Sequence, residues 1–360
     1  MVSLKNVTKK YGNSLAVDSI DLEIQDGQFV VLVGPSGCGK TTTLKMINRL
    51  IEPSSGEILF EGKNIRDMNP VQLRRSIGYV IQGIGLFPNM TILENVEVVP
   101  KLMKWPKEKI KNRAMELMET VGMDFNKYAN KFPSELSGGE QQRIGVLRAL
   151  AAEPSIILMD EPFGALDPIT RDNLQEEVRK LHKTIKTTFV FVTHDMSEAI
   201  KIADIIVFMN HGAIVQVATP EEILKNPTND FVKNFIGNHI ATHVENLTID
   251  DIMSTEFKTV PEDEAPEGLH FQPEGKLKYL ITVDRQGMPR SVLGSASTES
   301  GAKIAKVDIG SSRKDAFQTM EHTGADFLAV MDEHKKLAGL ITRAGLLESA
   351  ALDLWGRCKD

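Results

Sequence analysis

A chain of 360 residues exceeds what one hydrophobic core usually organises, so two domains of unequal size are expected. With 41% apolar and 25% charged residues it has the composition of an ordinary folded protein, and a net charge of −7 leaves no basic face for nucleic-acid phosphates, which excludes that partner class. Its longest apolar runs, such as Phe29 to Val33 and Ile156 to Met159, fall far short of the roughly 20 residues that cross a bilayer.

The opening Met1-Val2-Ser3-Leu4-Lys5-Asn6 runs into an amphipathic strand pattern and lacks the apolar stretch of a secretory signal, so a cytosolic location is expected. Two distant cysteines, Cys38 and Cys358, fit a reducing compartment and not a disulfide framework. Phe29 to Val33 reads as a buried strand, and Gly34-Pro35-Ser36-Gly37-Cys38-Gly39-Lys40-Thr41 follows it and opens a helix predicted over Thr42 to Leu50. That strand, loop and helix form the context of a P-loop. Its glycines let amide N–H groups turn inward onto a triphosphate, Lys40 supplies a full positive charge and Thr41 a hydroxyl for Mg²⁺.

Further buried strands are predicted at Ile77 to Ile81, Ile156 to Met159, Phe189 to Thr193 and Ile205 to Met209, which makes residues 1–236 an α/β sheet domain. Between about residues 88 and 150 helical spacing replaces strands, which predicts an inserted helical subdomain. Within it, Leu136-Ser137-Gly138-Gly139-Glu140-Gln141 puts a serine and two glycines at the start of a helix, a second anion site. The strand at Ile156 ends in Asp160 and Glu161. Asp160 is expected to hold Mg²⁺, and Glu161 to act as general base on the water attacking the γ-phosphate.

After these motifs the resemblance is specific: the segment from Leu136 resembles the signature of ATP-binding-cassette (ABC) ATPases, whose core is the RecA-like P-loop fold. The resemblance implies ATP contacts from Tyr11, Gly34, Pro35, Ser36, Gly37, Cys38, Gly39, Lys40, Thr41, Thr42 and Gln82. Tyr11 would stack on adenine, and Thr41, Gln82 and Asp160 would serve Mg²⁺. Asp167 falls in the loop after the acidic pair, and His194 corresponds to the switch histidine on the γ-phosphate. It further implies a head-to-tail homodimer in which Ser137, Gly138, Gly139 and Glu140 of one subunit cover the ATP held by Lys40 of the other. A membrane-spanning permease would seat near Gln82, Ile84, Leu86 and Phe87.

The helix-like Asp230 to Ile236 is broken by Gly237-Asn238-His239, so residues 237–247 are expected as a linker and 248–360 as a second, α+β module. That third of the chain is the acidic one, with 14 Lys and Arg against 20 Asp and Glu over residues 241–360. It carries a repeat at an offset of 48 residues: Tyr279-Leu280-Ile281-Thr282-Val283-Asp284 matches Phe327-Leu328-Ala329-Val330-Met331-Asp332, and each continues through a polar turn to a second apolar run. Two hairpin-like units follow from it. Together with Gly339-Leu340-Ile341-Thr342-Arg343 the repeat resembles a tandem cystathionine-β-synthase-type (CBS) pair with a degenerate first copy. In nucleotide-binding pairs an aspartate follows the Thr or Ser by three residues; here the position is Gly345, with Ser297 as its repeat mate, which disfavours adenosine nucleotides. Ionic strength, a cyclic dinucleotide at a dimer cleft, or a scaffold role remain as readings.

The combination resembles the ATPase of bacterial osmoprotectant importers, on the cytoplasmic face of the membrane beside a permease and a substrate-binding subunit. The implied cargo is glycine betaine, carnitine or choline. The alternatives are an importer ATPase for another solute, against which the repeat argues, and a non-transport cassette protein, which would normally carry two cassettes or a coiled coil.

Overall fold

The computed structural model describes residues 1–83, 85–241, 249–250, 252–264, 279–294, 302–346 and 349. Two compact units divide after Ile223. The first begins with β1 (Val2–Tyr11), β2 (Ser14–Ile24), β3 (Phe29–Val33), α1 (Lys40–Ile47), β4 (Ser55–Phe60), β5 (Lys63–Asn64), α2 (Pro70–Ser76) and β6 (Ile77–Val80). It continues with α3 (Ile92–Leu102), α4 (Lys107–Thr120), α5 (Phe125–Tyr128), α6 (Gly138–Leu150), β7 (Ile156–Asp160), α7 (Pro168–Ile185), β8 (Thr188–Thr193), α8 (Met196–Ile202), β9 (Ile205–Asn210) and β10 (Ala213–Ala218), and α9 (Pro220–Lys225) follows.

Two sheets result. The larger runs β10-β9-β3-β8-β7-β6, with β9, β3, β8, β7 and β6 parallel and β10 antiparallel at one edge. Every residue of β3, β7 and β8 is buried, as expected of parallel strands covered on both faces. The predicted strands are present within one residue at their ends. The second sheet, β2-β1-β4-β5, is antiparallel. Only its first strand is legible in the sequence, as the amphipathic pattern at Met1 to Asn6, because the other strands are half exposed and carry no continuous apolar run; β2 alternates between buried and exposed positions from Ser19 onward.

The second unit contains α10 (Asp230–Ala241), β11 (Phe257–Pro261), β12 (Tyr279–Val283), β13 (Pro289–Gly294), β14 (Ala302–Asp308), α11 (Arg313–Thr323), β15 (Phe327–Met331) and β16 (Leu337–Thr342). They form one sheet in chain order. The 48-residue repeat is a structural one: β12 and β13 form an antiparallel hairpin with β11 parallel alongside, and β15 and β16 do the same with β14. Helix α10 differs from its predicted extent. It runs through Gly237, where a Cβ would lie 2.3 Å from Cζ of Phe317 on α11. The glycine is therefore a contact surface for a ring, and its cost within a helix, about 1 kcal/mol against alanine, is small beside tertiary packing. Lys233 adds an ion pair to Asp326 at 2.7 Å, so the helix assigned above to the end of the first domain packs within the second unit.

At the end of α7, His182 is buried against Phe29 and Phe189, with ring centroids at 5.2 Å in both pairs. Its Nε2 donates to the Gly27 carbonyl at 3.0 Å, and among the described residues its Nδ1 has no hydrogen-bond partner. Burial pushes the imidazole below its ordinary range, with Asp204 opposing. The native ring thus stays neutral while the unfolded chain takes up a proton below about pH 6.5. This stability is complete above that pH and lost as pH falls toward the depressed native value. The melting temperature should drop between pH 7.5 and 5.5, and His182→Gln should narrow that drop in calorimetry; an identical pH dependence in the variant would exclude His182 as its source.

Candidate functional site

Parallel register decides where the phosphate-handling residues meet. Val33 of β3 pairs with Thr193 of β8, and Val192 pairs with Asp160 of β7, so three strands end level with one another. The residues that leave those ends are Gly34, Glu161 and His194. Carboxyl ends of parallel strands are where open α/β sheets bind ligands.

The loop from β3 is tight against its surroundings. Gly34 has φ +148, and a Cβ there would come within 2.1 Å of the Met209 carbonyl oxygen; at Gly39, φ +109, it would meet the Ala16 carbonyl at 2.6 Å. Ser36 and Gly37 form the exposed crest, and Cys38 and Gly39 are buried behind it. Helix α1 starts at Lys40, earlier than predicted, and has no side-chain cap. Its first-turn N–H groups, including those of Lys40, Thr41 and Thr42, lack helical partners and suit an anion. The buried Lys40 ammonium donates to the carbonyls of Gly34 at 2.6 Å and Pro35 at 2.8 Å. Cys38 Sγ lies 3.7 Å from it, yet burial pushes the thiol up against the opposing pull of Lys40, so the sulfur is a packing atom and not a nucleophile.

Asp160 is 4% exposed and accepts from the Thr41 hydroxyl at 2.7 Å. One carboxylate beside one hydroxyl fits Mg²⁺, which keeps waters and takes phosphate oxygens instead of filling its shell from protein. Among the described residues no group of three or more His, Cys, Asp or Glu forms an alternative metal centre. Glu161 adopts φ +43, strained for a side-chain-bearing residue, and its N–H is held by the Val192 carbonyl at 3.1 Å. Its carboxylate accepts from Gln82 Nε2 at 3.3 Å and faces His194 Nδ1 at 3.5 Å. A water polarised there would meet a carboxylate flanked by an amide and an imidazole. Tyr11, at the end of β1, is half exposed with the Lys9 ammonium 5.0 Å over its ring.

The second anion motif stands apart. Ser137 caps α6 in a reciprocal box with Glu140: its hydroxyl and N–H both donate to Glu140 Oε2 at 2.8 Å. Tyr128 donates to the other oxygen at 2.8 Å. The Ser137 N–H, then the Tyr128 hydroxyl, hold this carboxyl below the usual range, so Glu140 orients Ser137 while Ser137 and Gly138 remain exposed. At Gly139 a Cβ would come within 2.6 Å of the Thr170 methyl on α7. Asp167 caps α7 through the Thr170 N–H at 3.0 Å. A cleft of about 240 Å³ lies between the two helix starts, lined by Ser137, Glu140, Arg143, Thr170 and Asn173 among others. Among the described residues, no hydrogen bond or ion pair joins Ser137–Glu140 to Lys40, Thr41, Asp160 or Glu161.

Sequence reasoning missed two residues that hold the loop after Gln82. Asn95 of α3, fully buried, accepts from the Phe87 N–H at 2.8 Å and donates to the carbonyls of Phe87, Met90 and Thr91. Arg148 of α6 donates to the Gly85 carbonyl at 2.9 Å and stacks over Phe87 at 5.6 Å. Burial lowers its pKa. Phe87 is still 43% exposed. Ile84, named with this loop, lies outside the described residues. A polar residue inside an amphipathic helix, as Asn95 is, was the available signal.

In the second unit Thr342 Oγ1 accepts from the Gly345 N–H at 2.9 Å. Its repeat mate Ser297 and the second cysteine, Cys358, lie outside the described residues. Arg343, 8% exposed, pairs with Glu321, lies 3.6 Å from Asp326 and faces the Phe317 ring.

Residues 17–164 match the ABC transporter family, and residues 302–351 match the CBS domain. A glycine betaine/carnitine/choline transport ATP-binding protein of Bacillus subtilis (strain 168) is 50% identical over 99% of this chain and 98% of its own length. A choline transport ATP-binding protein of the same organism is 48% identical over 100% and 99%. A solved dimeric ATP-binding cassette in a post-hydrolysis state with ADP and Pi is 37% identical, with a TM-score of 0.54 over 61% of this chain and 99% of its own. The CBS match takes in only the second copy of the repeat. Among the described residues no helix is long and apolar enough to cross a membrane.

If Arg148 and Asn95 hold the loop, Arg148→Ala should raise the hydrogen-exchange rates of the Gly85 and Phe87 amides about tenfold, the loss of one hydrogen bond of ordinary strength. ATP affinity should stay as in the parent chain. Unchanged exchange at both amides would show that Arg148 is not what restrains them.

Proposed function

The chain belongs to the ATP-binding subunits of ABC transporters, with a CBS domain after the cassette, and on that footing we propose that it hydrolyses ATP to drive uptake of quaternary ammonium osmoprotectants. The observation that carries the reading is the convergence of Lys40, Thr41, Gln82, Asp160, Glu161 and His194 beyond the carboxyl ends of four parallel strands, β3, β6, β7 and β8. The relatives' names, glycine betaine, carnitine and choline transport, support the cargo class. That cargo never touches this subunit, so its identity is set by the partners.

In this reading the Gly34–Thr42 loop and the start of α1 wrap the triphosphate, and the Lys40 ammonium exchanges its carbonyl partners for phosphate oxygens. Thr41, Asp160 and Gln82 would hold Mg²⁺, which would supply positive charge to offset that of the phosphates. Tyr11 supports the adenine. Glu161 takes the proton of the attacking water, with Gln82 orienting one of its oxygens and His194 reaching toward the γ-phosphate. The separation of Ser137–Gly139 from Lys40 within one subunit supports a head-to-tail dimer, in which each subunit's α6 start closes over the other's nucleotide. Asp167 at the foot of α7 lies beside that seam. The exposed Phe87, with Leu86 and Gln82, would take the permease on the cytoplasmic face, where a substrate-binding subunit completes an importer. For residues 248–360 we propose a regulatory module, responsive to ionic strength or to a cyclic dinucleotide.

Glu161→Gln should bind ATP as tightly as the parent chain and lose 10²–10⁴-fold in hydrolysis, roughly what a positioned general base contributes, measured by phosphate release; an undiminished rate would rule out Glu161 as the base. The dimer geometry has its own test in mixed dimers carrying Ser137→Arg and Lys40→Ala. With both changes on one subunit both shared sites are spoiled, whereas on opposite subunits they fall in a single site and the second survives. Equal nucleotide binding by the two arrangements would contradict head-to-tail pairing.

A further inference from the structure

Glu198 of α8 is a buried carboxylate, 8% exposed, that the scheme above does not use. Its Oε2 accepts from the Thr193 hydroxyl at 2.5 Å, and its Oε1 accepts from Gln175 Nε2 of α7 at 3.1 Å. The Thr193 hydroxyl, having given its proton to Glu198, accepts from the Asp195 N–H at 3.0 Å. Asp195 in turn caps α8 through the Ser197 N–H at 2.8 Å. His194 therefore sits between two residues whose backbones are bridged by one hydroxyl, and the carboxylate fixes which way that hydroxyl points. A second arm runs to the foot of α7. Arg171 Nε lies 3.9 Å from Glu198 Oε1, buried and, among the described residues, without a hydrogen-bond partner, while the same guanidinium donates to the Leu166 carbonyl at 3.0 Å. A closing movement of about 1 Å would bring Nε to hydrogen-bond distance of the carboxylate.

We propose that Glu198 is a positioning residue for His194, holding the Thr193–Asp195 turn through the Thr193 hydroxyl and tying it through Arg171 and Gln175 to the loop that ends in Asp167. The inference rests on the reading that His194 acts in ATP hydrolysis. Its physical basis is that the imidazole is 53% exposed and faces the Glu161 carboxylate at 3.5 Å, so its aim depends on how the backbone on either side is held. Burial raises the Glu198 pKa, and Thr193, Gln175 and Arg171 supply the partners that such a carboxylate needs. The arrangement also gives the Asp167 loop, which lies at the proposed dimer seam, a direct polar route to the residue facing the γ-phosphate.

The test compares steady-state ATP hydrolysis by the full chain carrying Thr193→Val, Thr193→Ser, Glu198→Ala or Glu198→Gln, with His194→Ala as reference. Thr193→Val and Glu198→Ala should lower kcat at least about tenfold, the weight of one hydrogen bond spent on positioning, while KM for ATP changes little. Thr193→Ser, which restores the hydroxyl, should stay within about twofold of the parent, and combining Thr193→Val with Glu198→Gln should cost no more than the worse single change, because both cut one path. The His194 ring resonances in proton NMR should move in Thr193→Val and not in Thr193→Ser. Should Glu198→Ala fail to fold, the Thr193 pair decides, since valine keeps the shape. Full kcat in Thr193→Val, or additive losses in the double variant, overturns the inference while leaving the site reading intact. Full activity in His194→Ala overturns the site reading itself.

Discussion

Everything in the first unit depends on the register of three parallel strands. Because β3, β8 and β7 pair without a shift through to their last residues, the chain leaves all three at the same height, and residues 34, 161 and 194 arrive at one edge without any of them being neighbours in sequence. A slip of one residue in any pairing would exchange the two faces of that strand and carry its catalytic candidate to the opposite side. The core and the site are thus one structure: the residues that make the sheet insoluble on both faces also set the spacing of the polar groups beyond it.

The polar groups at that edge are held under tension. Lys40 is buried with two carbonyl oxygens and a thiol as its partners and no carboxylate among them, and Glu161 carries a positive φ that costs roughly 1–3 kcal/mol. Both conditions are tolerable because neighbouring backbone over-determines them: Met209 and Ala16 leave room only for glycine at positions 34 and 39, and the Val192 carbonyl pins the Glu161 amide. A carboxylate kept off its relaxed backbone geometry and shared between an amide and an imidazole is poised to exchange partners when a water enters. Strain here has a location and a set of supports, and those supports are the same parallel strands.

How much of this was legible in the sequence follows from the range of each interaction. The P-loop, the acidic pair and the histidine were legible because each is a short motif whose chemistry demands those residue types beside a strand of obvious apolar character. The register that brings them together was not, although the strand ends alone implied it. Beyond its first strand the sheet β2-β1-β4-β5 escaped because its strands are half exposed, and the true extent of α10 escaped because Gly237 reads as a break until Phe317 is seen against it. Arg148 and Glu198 escaped because their partners lie on other elements, at Gly85, Phe87, Gln175 and the Thr193 turn, and no local pattern announces such a contact. Asn95 left one trace, a polar residue inside an amphipathic helix, but nothing local tells that its partner is the Phe87 loop.

The two helices that begin at the second anion motif give the cassette its mechanical character. α6 starts at Ser137 and reaches, about 16 Å further along at 1.5 Å per residue, Arg148, whose guanidinium grips the loop carrying Phe87. α7 starts at Asp167, packs its Thr170 on Gly139, and reaches the His194 turn through Arg171 and Gln175. A force applied at the Ser137 end is therefore delivered to two places by rigid bodies: to the exposed loop by α6 and to the histidine by α7. Neither route needs a conformational change inside a helix. The first ends in a guanidinium on a carbonyl. The second ends in the Gln175 amide, already on the Glu198 carboxylate at 3.1 Å, with the Arg171 guanidinium 3.9 Å from the same oxygen. The two helix starts that line one cleft are thus joined by polar contacts already in place to different ends of the cassette, one to the exposed loop and one to the turn that carries His194.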